Sequence, residues 1–456
     1  LKNSVLLKNG FFLLNDGSGQ LLKGSLRVEE GKISRLSKSI SSQKKEKVID
    51  LKGKLVIPGF VQTHLHLCQT LFRNLADDLE LLDWLRLKIW PMESAHTEES
   101  LYSSARLGIA ELLAGGTTTI LDMGTIRHTD AIFAAAEEMG IRAFIGKCLM
   151  DREENPFYLR EKFKDASQEN RKLMARWHGR DNGRLRYAHA PRFLLSASEQ
   201  MMKELGEISA DSGTLIHTHS SENKAEIDNV RKLYGCENVE AFDRLGVAHE
   251  KLILAHCIHL SAKEEKILQD KKVKVSHCPS SNLKLASGIC RVMDLRKKGI
   301  SVSLGADGAA CNNQLSAFQE MRLASLLQKP LKGPTALSAR EAFEMATIEG
   351  ARALGLVSEI GSLEKGKKAD FVVLGQDGAF EATDWTEKEP ESAYSALVYS
   401  LGPAQVESTW VDGLPVFHQG SYPGISAANI KEQARKERKK LLDRARKILS
   451  SSDLRP

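Results

Sequence analysis

The sequence predicts an α/β protein: a (β/α)₈ TIM barrel carrying a small composite β-sandwich domain made from both chain ends. Three observations predict it. Through the middle of the 456 residues, eight short apolar runs alternate with amphipathic segments, the pattern of parallel strands each followed by a helix. The two ends share another texture, short strands broken by tight turns. Histidines and an aspartate fall at the C-terminal ends of several apolar runs, where such a barrel gathers its reactive groups.

From the N-terminus, residues 1–57 alternate strands with turns at Asn15-Asp16-Gly17 and, inside 26–36, at Glu30-Gly31-Lys32. Leu1 to Ser4 lack the basic start and long apolar stretch of a signal peptide and read as strand. Residues 58–360 are assigned to the barrel. Its strand candidates are 54–61, 117–122, 142–149, 185–190, 214–219, 252–257, 273–277 and 301–307, and 98–114, 131–139, 198–210, 262–269 and 314–327 have helical periodicity. The β texture returns at 369–374, 408–411 and 414–417, around a turn at Asp412-Gly413. Residues 1–57 and 361–456 are therefore expected to pair into one domain with a C-terminal helix.

Composition removes several functions. Hydrophobic residues at 42% and charged residues at 27% give an ordinary globular balance with a large core. No apolar run reaches the roughly eighteen residues of a membrane span, so no membrane partner is expected. The seven cysteines are odd in number and contain no C-x-x-C pair, which argues against a disulfide framework or a cysteine-rich zinc finger and for the reducing cytoplasm. The net charge of +6 belongs to one segment: residues 431–456 hold ten Lys and Arg against four Asp and Glu. Leu441, Leu442, Ala445, Ile448 and Leu449 recur there as one face of an amphipathic helix, and no aromatic residue interleaves with the charges to stack on bases, so no nucleic-acid partner is expected.

The strand ends carry the chemistry. Strand one ends in His64-Leu65-His66, and residues two apart on a strand face the same side, so both imidazoles can grip one ion. Strand five ends in His217-Thr218-His219-Ser220-Ser221-Glu222, strand six in His256 and strand eight in Asp307. Imidazoles with one carboxylate suit a single divalent metal, Zn²⁺ first and Fe²⁺ as the alternative.

These motifs resemble the amidohydrolase superfamily, in its branch of hydrolytic deaminases acting on aminated purines and related heterocycles. The resemblance spans nearly the whole chain and is carried by PGFVQTHLHLCQTLFRNLADDLELLDWL, IHTHSSENKAEI, LAHCIHLS, HCPSSNLKLASG and LGADGAACNN. It implies that His64, His66, His219 and Asp307 ligate the metal, that Asp307 helps activate water, that Glu222 shuttles protons, and that His256 hydrogen-bonds at the reacting centre. The chemistry agrees. A ring amidine is a poor electrophile for neutral water, a bound divalent ion makes water nucleophilic near neutrality, and a carboxyl beside it can protonate first the ring nitrogen and then the departing amine.

The substrate side of the resemblance divides. Trp84 and Glu93, in Leu82-Asp83-Trp84-Leu85 and Trp90-Pro91-Met92-Glu93, resemble the ribose-binding Trp and Glu of adenosine-derivative deaminases, and His189 their base-binding His. Pro191-Arg192-Phe193 and Gln69 resemble guanine deaminases instead. The segments from His277 to Gly288 and from Gly305 to Asn313 are similar to the 5′-deoxyadenosine, 5′-methylthioadenosine and S-adenosylhomocysteine deaminases, but Lys147 stands where the last type has a carboxylate-binding Arg, which favours a small neutral 5′ substituent. Deamination of a 5′-modified adenosine to its inosine analogue is the leading expectation, with guanine deaminase and s-triazine chlorohydrolase or deaminase as alternatives; a homo-oligomer is expected. A barrel that has lost its chemistry and serves as a scaffold is disfavoured, because all four ligand positions are filled.

Overall fold

The computed structural model describes residues 4–375 and 385–450. The expectation of strand at Leu1 to Asn3, and the parts of the C-terminal domain at 376–384 and 451–456, lie outside the described residues.

Eight parallel strands form the barrel: Phe60–His66, Thr117–Met123, Arg142–Gly146 extended by Cys148–Leu149, Leu185–Pro191, Leu215–Ser220, Leu252–His256, Lys274–His277, and an eighth in two pieces. The eighth closes the ring by changing partner. Val302–Leu304 pairs with Lys274–His277, and Asp307–Gly308 then pairs with Phe60–His66, setting Asp307 opposite Leu65. Gly305 lies at the break because a β-carbon there would meet the backbone nitrogen and oxygen of His64 at 2.8 and 2.7 Å.

The run expected as one strand at 54–61 is two. Leu55–Pro58 belongs to the second sheet and Phe60–His66 to the barrel. Pro58-Gly59 passes the chain between them, and Gly59 fits because a β-carbon would lie 2.2 Å from Thr118 Oγ1. The second sheet joins strands from both chain ends: Leu55–Pro58 runs antiparallel to Phe371–Leu374, which pairs in turn with Val406–Val411. Its eight strands form one hydrogen-bonded sheet around Leu7, Phe12, Leu26, Val56, Phe371 and Trp410.

A buried ion pair ties this sheet to the barrel. Arg142 donates through Nε to Asp370 Oδ2 (2.8 Å) and through Nη2 to Asp370 Oδ1 (3.1 Å) and Asp412 Oδ1 (2.7 Å). Burial opposes the guanidinium charge, but Asp370 and Asp412 outweigh it and raise its pKa. Removing one partner strands the other, so Asp370→Ala is expected to destabilise the protein by about 3–5 kcal/mol. A lowered urea midpoint checks this, and Arg142→Met combined with Asp370→Leu should cost less than Asp370→Ala alone.

The C-terminal helix, Ala427–Ser450, was grouped by sequence with the β-domain. It packs instead on the barrel, against Glu98–Ala114 and Trp90–Ser94. Its apolar residues Ala434, Leu441 and Ala445 share one buried cluster with Trp84 and Phe193, which the sequence pattern does not show because amphipathicity does not name a partner. Among the described residues no helix is long and apolar enough to cross a membrane.

Candidate active site

The barrel brings His64, His66, His219, His256 and Asp307 together at the C-terminal ends of its strands. Asp307 Oδ1 lies 3.3 Å from His64 Nε2 and 3.4 Å from His66 Nε2, and His66 Nε2 lies 3.2 Å from His219 Nε2. One ligand atom from each of His64, His66 and His219 falls within 4.8 Å of the others, and the same holds for His64, His256 and Asp307. Ser221, His256, Cys257 and Asp307 have φ of 52°, 73°, 48° and 60°. Left-handed backbone at four side-chain-bearing residues is strain that the surrounding barrel must hold.

Hydrogen bonds behind the imidazoles fix their tautomers. His66 donates through Nδ1 to Met123 O (3.0 Å) and His219 through Nδ1 to Arg192 O (2.6 Å). His64 Nδ1 is 2.7 Å from His217 Nε2, which leaves His64 Nε2 buried without a partner. The His66 and His219 Nε2 lone pairs are therefore bare and face each other, and His64 Nε2 joins them beside the Asp307 carboxylate. Burial first, and then the neighbouring rings, hold His66 down at about 3 and His219 well below its ordinary range; burial also lowers His64. Burial opposes charge on Asp307, but His64 and His66 outweigh it and keep the carboxyl far below the usual range. Neutral imidazoles around an anionic carboxylate are the donor set a divalent ion requires, so these four residues fit one.

Glu222 and His256 face each other across this centre, with Nε2 3.5 Å from Oε2. Burial pushes the Glu222 carboxyl up to about 7, partly offset by His256, and its Oε1 has no partner. Burial disfavours charge on His256, but Glu222 and then Asp307 overcome it and raise its pKa. A carboxyl that can be proton-loaded at neutral pH and a polarised imidazole thus share the floor of one cavity.

That cavity is lined by Leu81, Trp84, Leu85, Arg192, Phe193 and Leu285 above His66, His219, Glu222, His256 and Asp307. Trp84 is in the wall, its indole Nε1 buried and unpartnered. Arg192 is there too. Glu93 is not in the lining. Its Oε2 accepts from Arg192 Nη1 at 2.6 Å, and its Oε1 from Gln69 Nε2 at 3.0 Å and Arg192 Nη2 at 3.3 Å. Both Glu93 oxygens thus accept from protein groups in this structure, so a ribose diol would have to bind alongside Arg192 and Gln69. Gln69 is likewise fully buried behind the wall, with Oε1 unpartnered.

His189 is turned to other protein groups. It was expected at the substrate, but it shares a strand face with Tyr187, which bonds Asn170 on the helix outside the barrel. Its Nδ1 is 3.1 Å from Asn170 Oδ1 and its Nε2 2.9 Å from Thr214 Oγ1, so both ring nitrogens are engaged away from the cavity. Lys147 is also turned inward on protein, its Nζ 2.9 Å from both Glu161 and Glu169.

Two supporting residues were missed. His217 braces His64, and the His217-x-His219 spacing on one strand was a signal for it. Asn282 Oδ1 accepts the His256 Nδ1 proton at 2.8 Å and so aims Nε2 at Glu222; no local spacing links a strand end to the helix Pro279–Lys284 that follows the next strand.

Comparison with known proteins agrees with this site. The amidohydrolase family matches residues 55–416. A 5′-deoxyadenosine deaminase of Methanobrevibacter smithii is 38% identical over 95% of this chain and 97% of its own length. A 5-methylthioadenosine/S-adenosylhomocysteine deaminase of Desulforudis audaxviator is 35% identical over 96% of this chain and 99% of its own. Among solved structures, an adenosine deaminase from Xanthomonas campestris with bound zinc superposes with a TM-score of 0.87 at 28% identity, covering 97% of this chain and 99% of that one. The metal-binding geometry, the barrel and a match across most of the sequence lead to one conclusion: the chain belongs to the amidohydrolase family.

Proposed function

We propose that this protein is a zinc-dependent hydrolytic deaminase of a 5′-modified adenosine, releasing ammonia and the inosine analogue. The observation that carries the reading is Glu222: a buried carboxyl with one free oxygen, pushed up to about 7, beside His256 and the metal-binding centre. Deamination needs a group that gives a proton to the ring and to the leaving amine, and this one is poised for both. His64, His66, His219 and Asp307 would hold the ion, which when bound supplies Lewis acidity that makes water nucleophilic near neutral pH. His256, oriented by Asn282, supports charge on Glu222 and at the reacting carbon.

Two features favour a small neutral 5′ group, as in 5′-deoxyadenosine or 5′-methylthioadenosine, over the homocysteinyl group. Leu81, Leu85 and Leu285 make the wall apolar, and the Lys147 charge is consumed by Glu161 and Glu169. Relatives named for both substrate types support this class. All seven cysteines are free and buried, which suits the reducing cytoplasm.

One observation favours a second reading. Arg192 and Phe193 both line the cavity, and a guanidinium beside an aromatic ring can read the oxo edge of guanine. A substrate panel followed by ultraviolet absorbance and ammonia release separates the two. We expect 5′-deoxyadenosine or 5′-methylthioadenosine to exceed S-adenosylhomocysteine, adenine and guanine by at least about tenfold in kcat/KM, and Trp84→Ala to raise the nucleoside KM by roughly tenfold through lost packing. Guanine as the best substrate of the panel would replace this reading with the second.

A further inference from the structure

The basic C-terminal helix, Ala427–Ser450, contacts two short helices behind the cavity wall through two arginines. Gln69 lies on the short helix Leu67–Phe72 and Glu93 on the short helix Trp90–Ser94. The last carbonyls of a helix have no partner within it and carry its negative dipole end, so a cation placed there is stabilising. Neither short helix has a basic residue of its own in its last turn. Arg438 supplies the first, donating from Nε to Leu71 O (3.0 Å) and from Nη2 to Arg73 O (3.5 Å). Arg444 supplies the second, donating from Nε to Ala95 O (2.7 Å) and from Nη2 to Ser100 Oγ (3.2 Å). Ser100 Oγ is also 3.1 Å from His96 Nδ1, and His96 donates through Nε2 to Cys68 O (2.8 Å), beside Gln69. The two helices then meet at the Glu93 carboxylate, which Gln69 and Arg192 share.

We propose that Arg438 and Arg444 are positioning residues for substrate binding: by clamping the C-terminal ends of these two helices they set Gln69 and Glu93, and through Glu93 the angle at which Arg192 enters the cavity. Apolar packing runs the same way, since Leu441 and Ala445 share a buried cluster with Trp84, Phe193 and Leu285 of the cavity wall. His66 directly precedes the first of these helices, but both arginines act at the far, C-terminal helix ends and neither touches Glu222, so binding is affected more than the chemical step. The proposal rests on the reading that Arg192 and Trp84 contact the substrate.

The test uses the full-length, metal-loaded enzyme with Arg438→Ala, Arg444→Ala and the pair, and the exposed Arg435→Ala and Lys439→Ala as controls. The pair is expected to raise KM for the best panel substrate at least about tenfold while kcat stays within about twofold and metal content is unchanged. Arg→Lys at both sites should recover most of the loss, and the controls should match wild type. In a Glu93→Gln background Arg444→Ala should add little, because both act through one cluster. Hydrogen–deuterium exchange should quicken at 67–73 and 90–96 and hold in the barrel strands; this readout decides the clamp even if the nucleosides prove not to be substrates. An unchanged KM, full additivity with Glu93→Gln, or faster exchange throughout the barrel would overturn it. Should the pair fail to fold, Arg444→Gln carries the same comparison.

Discussion

Asp307→Asn is expected to reduce turnover by several orders of magnitude and to release much of the bound metal. Asp307 is the single carboxylate among the four converging ligand groups, and its Oδ1 sits 3.3 and 3.4 Å from two of the imidazole nitrogens. The neighbouring histidines keep it ionised far below the ordinary range. An amide has the same shape without the charge, so the change isolates the anion that draws the cation in. His64→Ala should act in the same direction, since His64 Nε2 is buried at the same centre, 3.3 Å from Asp307 Oδ1. Elemental analysis alongside steady-state kinetics checks both, and near-normal activity in a rigorously metal-free preparation would end the hydrolytic reading.

Glu222→Gln separates proton transfer from metal binding. Its Oε2 faces His256 at 3.5 Å, and it belongs to neither group of atoms that could hold an ion. The variant should retain its metal while kcat falls by at least roughly 10²-fold, the scale of general acid–base help. Because glutamine keeps the volume and loses only the titratable proton, KM should change little. Loss of metal in this variant would make Glu222 a ligand and remove its assigned role.

The reactive centre was legible in the sequence because a barrel fixes where strand ends lie. Once eight runs were counted, His64, His66, His219, His256 and Asp307 had to approach one another, whatever the loops did. The same logic does not extend to residues whose direction depends on a one-residue register or on a competing partner. His189 is on the expected strand, but its face is set by which side Tyr187 takes. Glu93 is in the expected segment, but its partners Arg192 and Gln69 lie on other elements, and a buried charge draws its counter-ion from wherever the fold supplies one. The C-terminal helix was legible as a helix and silent about its partner. The split of 54–61 was hidden because both pieces are equally apolar, and only the approach of Thr118 to Gly59 distinguishes them.

The sheet shared between the two chain ends has a consequence for synthesis. Phe371–Leu374 leaves the ribosome long after the Leu55–Pro58 strand it must join. Asn15 waits for Thr347, 332 positions later, and Arg142 for Asp370, 228 positions later. Contacts so distant make folding slow, and while they are unmade the nascent chain carries an uncovered β-edge and an unneutralised guanidinium. Shortening the gene from its 3′ end before codon 370 would therefore leave more than a trimmed domain. It would leave a chain arrested in that half-made state, aggregation-prone and dependent on chaperones, even though every residue of the metal-binding centre had already been translated.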